Sequence, residues 1–426
     1  MKNPGRFALV AALLMALTAF ERQTVVHAAG GPLEQANDPY RVLAPIESGN
    51  LLLFPVVRVT GPSRSATPFL TLDEGIKSGE VEVTEAGKVR GLVRPRASLP
   101  PGNVAPIYHD DRHRNYPESP VRGDQVNTLV LVNNSKQPLL LLAGEIVTGG
   151  KQDRVIAKDR IVPAGSDPID LSVFCIEPGR WTESSSTFGG AAKSSVRSFM
   201  VQPSVREQAM VAKNQQQVWD SVHGAISQIE VVAAPTVSVA GASQTVTVEA
   251  QPLSPNALAT TSYAKVMQNS AVSEKVDEAA APVMKSRDQV LAQLRQEHAI
   301  GVVVAVRGEI VWADLFADTE LLSRYWTKLV RSYAAESLTA GQTHSAPNGS
   351  DAQSFLDAPS GGTETSEGDV GVYRYREIHT GGTETFVLES LLPGTGYDVH
   401  ISKLSLRTEE SRFVPRPQPP RGPVYR

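Results

Sequence analysis

The feature that most constrains the fold is a group of short apolar runs in the middle of the chain. The runs cover residues 127–132, 139–143, 146–148 and 169–174, and turn-forming Asn, Gly and Pro residues separate them. Runs of this length are typical of strands, because a helix would need a longer apolar pattern. They predict a mixed or antiparallel β-sheet that is built from this part of the chain.

Two other stretches have the spacing of long helices. Their apolar residues recur every three or four positions and are Val218, Val222, Ile226 and Ile229 in the first stretch, and Leu322, Trp326, Leu329 and Tyr333 in the second. Residues 300–306 and 309–316 are apolar and are joined by Arg307-Gly308, which predicts a tight hairpin. The chain is therefore predicted to be an α+β protein, with a sheet core packed against a few long helices and a main domain over residues 40–336.

The C-terminal part is predicted to have three segments. Residues 337–368 are rich in Ser, Gly and Thr, a composition that is typical of a disordered low-complexity insertion. Residues 369–404 contain further apolar runs, which we expect to complete the main domain as strands. Residues 405–426 form a Pro/Arg-rich segment, which is predicted to be a mobile tail.

The N-terminus has the pattern of a secretory signal peptide over residues 1–29. Residues 7–20 are apolar and uncharged after a positive start, and small residues surround a cleavage point after Ala28 or Ala29. This pattern predicts an exported bacterial protein, periplasmic or extracellular, with no stable membrane span after cleavage. An uncleaved N-terminal anchor stays open as the alternative, since Glu21 and Arg22 precede the cleavage point.

Composition excludes several function classes. The formal net charge is -4, so the chain lacks the basic surface of a nucleic-acid-binding protein. Its single cysteine, Cys175, excludes an internal disulfide framework and a multi-cysteine zinc site. The usual motifs of serine hydrolases, zinc proteases and dinucleotide-binding folds are missing from the sequence. No cofactor and no protein partner is indicated.

The densest group of polar residues next to predicted strands lies between positions 144 and 181. Glu145 and Glu177 are candidate catalytic residues, because a positioned carboxylate can act as a general base. The candidate ligand-binding residues are Gly149, Gly150, Lys151, Gln152, Asp153, Arg154, Arg180 and Trp181. Turns could bring these carboxylates and guanidiniums to one end of the sheet, where they could bind an anion. The same residues could equally form an ion-pair network that only fixes a turn.

Three other interpretations of polar residues are weaker. A phosphate-binding P-loop fails because Glu145 stands at the first required glycine and Gln152 at the magnesium-binding Ser or Thr. The group from His109 to His113 lacks the helical histidine spacing of zinc motifs, so we predict no metal site. Cys175 is more typical of a small buried residue at a strand end than of a nucleophile.

Three runs together resemble a known family. They are LLLLAGEIVTGGKQDR at 139–154, VFCIEPGRW at 173–181, and residues 301–333 with Asp-Leu-Phe at 314–316. They look like the ARG and Rhodanese-Phosphatase-superfamily-associated protein domain over residues 40–404. The matching positions are Gly144, Glu145, Gly150, Gln152, Arg154, Cys175, Glu177, Gly179, Arg180 and Trp181. The family's name records association with ADP-ribosylglycohydrolase-like and phosphatase proteins, so the resemblance implies a link to ADP-ribose or nucleotide metabolism but no defined activity.

Three functions are consistent with the sequence. The first is a binding domain for an anionic or sugar-nucleotide ligand, held by the Gly-Gly-Lys-Gln turn with Arg154 and Arg180. The second is a hydrolase or transferase that uses Glu145 or Glu177 as a base. The third is a structural or partner-binding protein of the cell envelope. We rank the binding domain first, because recognised catalytic motifs are missing.

Overall fold

The computed structural model describes residues 25–27, 40–59, 69–85, 128–178, 188–189, 199–233, 260–285, 287–339, 343–357 and 362–406. The strands are β1 (Val25–His27), β2 (Tyr40–Val42), β3 (Ile46–Ser48), β4 (Leu51–Arg58), β5 (Leu70–Thr71), β6 (Val81–Glu85), β7 (Thr128–Asn133), β8 (Leu139–Leu141), β9 (Ile146–Val147), β10 (Arg154–Ile156), β11 (Arg160–Val162), β12 (Ile169–Cys175), β13 (Ala299–Val306), β14 (Glu309–Phe316), β15 (Thr363–Asp369), β16 (Tyr373–Thr380), β17 (Thr383–Ser390) and β18 (Asp398–Ser405). The helices are α1 (Leu72–Ser78), α2 (Pro203–Glu207), α3 (Gln215–Ala233), α4 (Tyr263–Gln268), α5 (Ser270–Ala279), α6 (Ala281–Lys285), α7 (Arg287–Gln296), α8 (Thr319–Leu338) and α9 (Gly349–Asp357). This mixture confirms the α+β prediction.

The largest element is a ten-stranded antiparallel sheet, called here the large sheet. Its order is β1-β15-β16-β17-β18-β14-β13-β4-β2, and β3 also pairs with β4. The predicted hairpin is confirmed as β13 and β14, with Val303 opposite Ala313. Arg307 and Gly308 form its turn with φ values of 51° and 86°, both in the left-handed region that a type I′ turn requires.

The short apolar runs in the middle of the chain form two smaller sheets. One has five antiparallel strands in the order β6-β7-β12-β10-β9, and the other has the order β11-β8-β5. Among the described strand pairs of these two sheets, only β5 and β8 are parallel. The prediction of a mixed or antiparallel sheet is confirmed, although the runs are divided between two sheets.

The main core lies between the large sheet and the helices. The four residues predicted to share one face of α3 are all buried, and so are the four predicted in α8. Helix α8 packs against β13 and β14 on one side and against α5 on another. Trp312 and Trp326 are both almost fully buried in this core, and Trp326 is one of the four residues predicted to share a face of α8.

The prediction of disorder over 337–368 is wrong for two of its parts. Helix α9 packs Ala352 against the second face of the large sheet, and Ala352 has no exposed surface. Strand β15 pairs with β16 along its full length, from Thr363 opposite His379 to Asp369 opposite Tyr373. The polar composition of this segment does not prevent folding, because the large sheet supplies both the backbone partners and the apolar surface.

The chain ends lie mostly outside the described residues. Of the predicted signal segment, only β1 is described, and it pairs with β15 at the edge of the large sheet. Cleavage after Ala28 or Ala29 would remove this strand. Within the described part of the chain, no helix is both long and apolar enough to cross a membrane. Residues 407–426, which contain most of the predicted mobile tail, also lie outside the described residues.

Candidate functional site

The turn between β8 and β9 is held by two buried carboxylates. The backbone N–H of Leu142 donates to Glu145 Oε2 at 2.7 Å, and the N–H of Ala143 donates to Asp159 Oδ1 at 2.7 Å. Gly144 lies between them with a φ of 92°, in the region that favours glycine. These contacts satisfy backbone groups that would otherwise be buried without partners.

Glu145 also forms a buried ion pair with helix α8. Lys328 Nζ lies 2.5 Å from Glu145 Oε1 and 2.5 Å from Asp73 Oδ2, and the side chains of Lys328 and Glu145 are only 4% and 1% exposed. Burial alone would lower the pKa of Lys328, but Asp73 and Glu145 outweigh it and raise that pKa. Lys328 therefore stays charged, and Glu145 joins the small sheets to α8.

A second buried polar cluster surrounds Asp314, the first residue of the Asp-Leu-Phe run. Arg206 of α2 lies 2.9 Å from Asp314 Oδ2 and donates to Ser402 Oγ at 3.0 Å, while the Tyr333 hydroxyl also donates to Asp314 Oδ2. The guanidinium of Arg206 stacks 4.6 Å from the centre of the Trp312 ring. Burial would raise the pKa of Asp314, but the Arg206 and His400 charges lower it well below its usual value.

A third polar group forms the Gly149–Asp153 turn. The N–H of Gly149 donates to Asp153 Oδ1 at 3.0 Å, and the N–H of Lys151 donates to Glu85 Oε1 at 2.9 Å. Ser262 at the start of α4 donates to Asp153 Oδ2 at 2.6 Å. The chain's own carboxylates therefore bind two backbone amides of the turn that was predicted to hold a ligand.

Glu177, two residues after the end of β12, also contacts this turn. Its Oε2 accepts the N–H of Asp153 at 3.1 Å, and its Oε1 lies 3.4 Å from Lys265 Nζ. Arg154 lies 4.0 Å from Glu85 Oε1, and both side chains are almost completely buried. The side chain of Lys265 is 56% exposed, so this cluster reaches the surface at a lysine.

Gln152 has one polar atom without a partner among the described residues. Its Nε2 donates to the backbone oxygen of Glu177 at 3.1 Å. Its Oε1 is buried and accepts no hydrogen bond from the described part of the chain. Because the Glu177 carbonyl can only accept, it fixes which end of the amide carries the nitrogen. A buried acceptor therefore remains beside Lys151 in the turn.

The structure brings together only part of the predicted site. Asp153, Arg154 and Glu177 share one cluster with the Gly149–Asp153 turn, as the sequence suggested. Glu145 has different partners, Lys328 and the Leu142 N–H, so the single cluster that was predicted is divided in two. Arg180 and Trp181 lie outside the described residues, and so do Gly179 and the group from His109 to His113.

Cys175 is buried at the end of β12. Its backbone N–H donates to Gln215 Oε1 at 2.9 Å. Burial raises the pKa of the Cys175 thiol, which disfavours the nucleophilic thiolate. The interpretation as a small buried residue agrees with this environment. In the described ranges, no three His, Cys, Asp or Glu side chains are grouped so as to hold a metal ion.

Several residues in these clusters were missed by the sequence analysis, namely Asp73, Glu85, Asp159, Arg206, Lys265, Lys328 and His400. Of these residues, only Lys328 has a local sequence feature from which its buried ion pair could have been predicted. It lies on the buried face of α8 between Tyr325 and Ser332, where an unpaired charge would be costly. A lysine on an apolar helix face predicts a buried carboxylate partner, but it does not say which one.

Comparison with known proteins gives the family. The sequence model of the ARG and Rhodanese-Phosphatase-superfamily-associated protein domain matches residues 39–404, which is most of the chain. The chain belongs to this family. The family's description names an association and no activity. No curated protein and no solved structure matches the chain.

The structure assigns physical contacts to several residues that supported the family resemblance. Gly144 and Glu145 form the turn that contacts α8, whereas Arg154 and Glu177 belong to the cluster around the Gly149–Asp153 turn. In both places the polar atoms contact other parts of the same chain. In this chain the motif residues form buried polar contacts within the small sheets and between these sheets and helices α4 and α8.

Proposed function

We propose that this family member is a binding domain for an anionic, sugar-containing ligand of the sugar-nucleotide type, bound at the Gly149–Asp153 turn. The observation that carries this proposal is the buried Oε1 of Gln152, which accepts no hydrogen bond from the described residues. A buried acceptor without a donor costs about 1–3 kcal/mol. A sugar hydroxyl is a donor that would recover this cost on binding.

Two lysines supply charge beside this acceptor. Lys151 is half-buried in the turn itself, and the Lys265 side chain is 56% exposed at its edge. The carboxylates of Glu85, Asp153 and Glu177 hold the turn in one conformation, so little ordering is needed when a ligand binds. The same carboxylates balance much of the positive charge, which favours a ligand recognised by its hydroxyls as well as by its phosphate.

The hydrolase or transferase alternative has less support from the geometry. A general base must reach the proton that it removes. Glu145 and Glu177 each accept a backbone N–H and contact a lysine, so their carboxylate oxygens already have partners within the chain. The charges of Glu145 and Glu177 are therefore used to hold the turns, which supports binding over catalysis.

A ligand panel tests the proposal. Thermal unfolding is measured with saturating ADP-ribose, ADP, ribose 5-phosphate and inorganic phosphate. We expect the sugar phosphates to raise the Tm and inorganic phosphate to raise it less, because phosphate alone leaves the Gln152 acceptor unsatisfied. If no compound in the panel raises the Tm, the proposal fails. Specific capture of the same envelope protein by this chain would then favour the partner-binding alternative.

Three variants locate the site. Gln152→Met removes the amide at similar side-chain length, and Lys265→Met removes the exposed charge. Lys275→Met on α5 is the matched control, because Lys275 is also exposed and pairs with a glutamate. We expect about tenfold weaker binding or more for each of the first two variants and no change for the control, measured by calorimetry. Equal binding by all three variants would place the ligand elsewhere.

We further propose that the chain is exported. The positive start, the apolar run 7–20 and the small residues at Ala28 and Ala29 support this proposal. Intact-mass measurement of the protein recovered from the periplasm should give a chain that begins after one of these alanines. A full-length chain in the membrane fraction would instead favour the uncleaved anchor.

A further inference from the structure

The His400 ring of β18 lies between two buried carboxylates. Its Nδ1 is 2.6 Å from Asp159 Oδ2, and its Nε2 is 3.2 Å from Asp314 Oδ1. All three side chains are completely buried. Nδ1 forms a hydrogen bond to a carboxylate, which can only accept, so Nδ1 carries a proton. Nε2 forms no aligned hydrogen bond, but without a proton its lone pair would lie 3.2 Å from a carboxylate oxygen, which is repulsive. This geometry fits the imidazolium form of His400.

The balance of charge leads to the same protonation state. Asp159 and Asp314 contribute two negative charges, and Arg206 contributes one positive charge. The cluster is neutral only when His400 is positive, and an unbalanced charge at this depth would be costly. The other groups that face the cluster are the Tyr333 and Tyr375 hydroxyls, and burial raises the pKa of both, so they stay neutral.

His400 joins two parts of the fold. Asp159 lies in the connection between β10 and β11, and its second oxygen holds the Ala143 N–H of the β8–β9 turn. His400 and Asp314 belong to adjacent strands of the large sheet. The Phe316 ring, 4.6 Å from the centre of the His400 ring, covers it from the same sheet. The imidazolium is thus the buried link between the small sheets and the large sheet.

The flanking contacts of the connection are at the surface. Lys158 pairs with Glu367 and Arg160 pairs with Asp369, both on β15, and these side chains are partly exposed. Exposed ion pairs contribute little to stability. The buried contact of His400 with Asp159 is therefore the stronger polar contact of this connection.

We propose that the protonated His400 ring is a latch that holds the Asp159 connection onto the large sheet and that opens when the ring loses its proton. Deprotonation leaves two carboxylates beside one guanidinium and turns an unprotonated Nε2 toward Asp314. Asp159 is the carboxylate that moves away, because its other partner among the described residues is the Ala143 N–H, whereas Asp314 keeps Arg206, Ser402 and Tyr333.

The latch is expected to open at alkaline pH. Burial alone would lower the pKa of His400, but Asp159 and Asp314 outweigh it and raise the pKa to about 9. An unfolded chain has a histidine pKa of about 6.5. Because the folded pKa is the higher one, this stabilisation is fully present below about pH 6.5 and is lost as the pH rises through about 9.

NMR of the ring nitrogens tests the proposal on the unmodified chain. We expect His400 to remain an imidazolium at pH 8 and to titrate near pH 9. Assignment uses the His400→Gln variant, in which this signal disappears. If His400 titrates at or below about 6.5, the proposal is overturned. This measurement does not require the variant to be as stable as the parent.

Amide exchange tests the opening itself. We expect protection of residues 142–162 to fall at least tenfold between pH 8 and pH 10, after correction for chemical exchange, while β13 stays protected. His379→Gln is the matched control, since His379 is 57% exposed and also pairs with a glutamate. The control should show the same loss as the parent. An equal loss of protection in β13 would indicate global unfolding and would refute a local latch.

Discussion

A Cβ atom at position 144 would lie 2.9 Å from Cδ of Arg206, so Gly144 leaves the space through which this arginine passes toward Asp314. The same glycine has a φ of 92°. Two independent reasons therefore exclude a side chain here, one from the backbone of the turn and one from packing. The close packing of Arg206 against Gly144 connects the β8–β9 turn to the buried cluster around Asp314.

The variant Gly144→Ala should destabilise the protein by about 2–5 kcal/mol. The left-handed backbone costs about 1–2 kcal/mol for a residue with a Cβ, and overpacking adds about 1–3 kcal/mol. Urea unfolding measures the change. Gly79→Ala is the control, because Gly79 has a φ of 74° but no atom within 4 Å of its added Cβ. Equal costs for the two variants would mean that the Arg206 contact contributes nothing.

The Glu145 and Lys328 pair should show strong coupling. Lys328→Met leaves the buried Glu145 carboxylate without its cation and should cost about 3–5 kcal/mol, whereas Glu145→Gln leaves Lys328 paired with Asp73 and should cost less. The double variant should cost less than the sum, because neither charge is then left alone. If Glu145 were catalytic, the Glu145→Gln variant would instead keep its fold and lose turnover.

An exposed ion pair serves as the control for the Glu145 and Lys328 variants. Lys213 pairs with Glu377, and its side chain is 53% exposed. Lys213→Met should therefore change the free energy of unfolding by about 1 kcal/mol or less. Additive costs for Glu145→Gln and Lys328→Met would contradict the pairing, since coupled neighbours do not add.

Asp314 should make the protein sensitive to acid. Its folded pKa lies well below the unfolded value of about 3.9, so the unfolded state takes up the proton first. The stabilisation is present above about pH 4 and is lost as the pH falls toward the folded pKa. Asp314→Asn should be less stable at pH 7 and should lose less stability than the parent between pH 5 and pH 2.

Unfolding midpoints over this pH range measure the effect. Asp170→Asn on β12 is the control, because the Asp170 side chain is exposed and its replacement should leave the parent's pH profile unchanged. A profile for Asp314→Asn that runs parallel to the parent's would show that Asp314 does not have a lowered pKa.

The sequence predicted the elements better than the site, and the reason is distance along the chain. The β13–β14 hairpin and the buried face of α3 follow from spacing within about 20 residues, which periodicity reports directly. Glu145 and Lys328 are 183 positions apart, and Asp159 and His400 are 241 apart. No local pattern relates such residues, so the division of the predicted cluster into two was not visible from the sequence.

The predicted disorder of 337–368 failed for a related reason. Helix α9 is polar overall, and its composition alone is typical of a loop. The Gln353 side chain accepts the N–H of Val42 and donates to the backbone oxygen of Tyr40, both at 2.9 Å. One amide thus satisfies two backbone groups of β2, an edge strand that would otherwise expose them. The partner that orders α9 lies more than 300 positions away.

The variant Gln353→Ala should therefore loosen α9 from the sheet. Two hydrogen bonds to β2 are lost at about 0.5–1.5 kcal/mol each, and the better helix propensity of alanine offsets only part of this cost. We expect faster protease cleavage within 343–357, mapped by mass spectrometry of the fragments. Ser354→Ala is the matched control, because Ser354 is exposed on the same helix and its replacement also raises the helix propensity. Equal cleavage rates for both variants would show that Gln353 does not hold α9, and that Ala352 and its apolar neighbours do so alone.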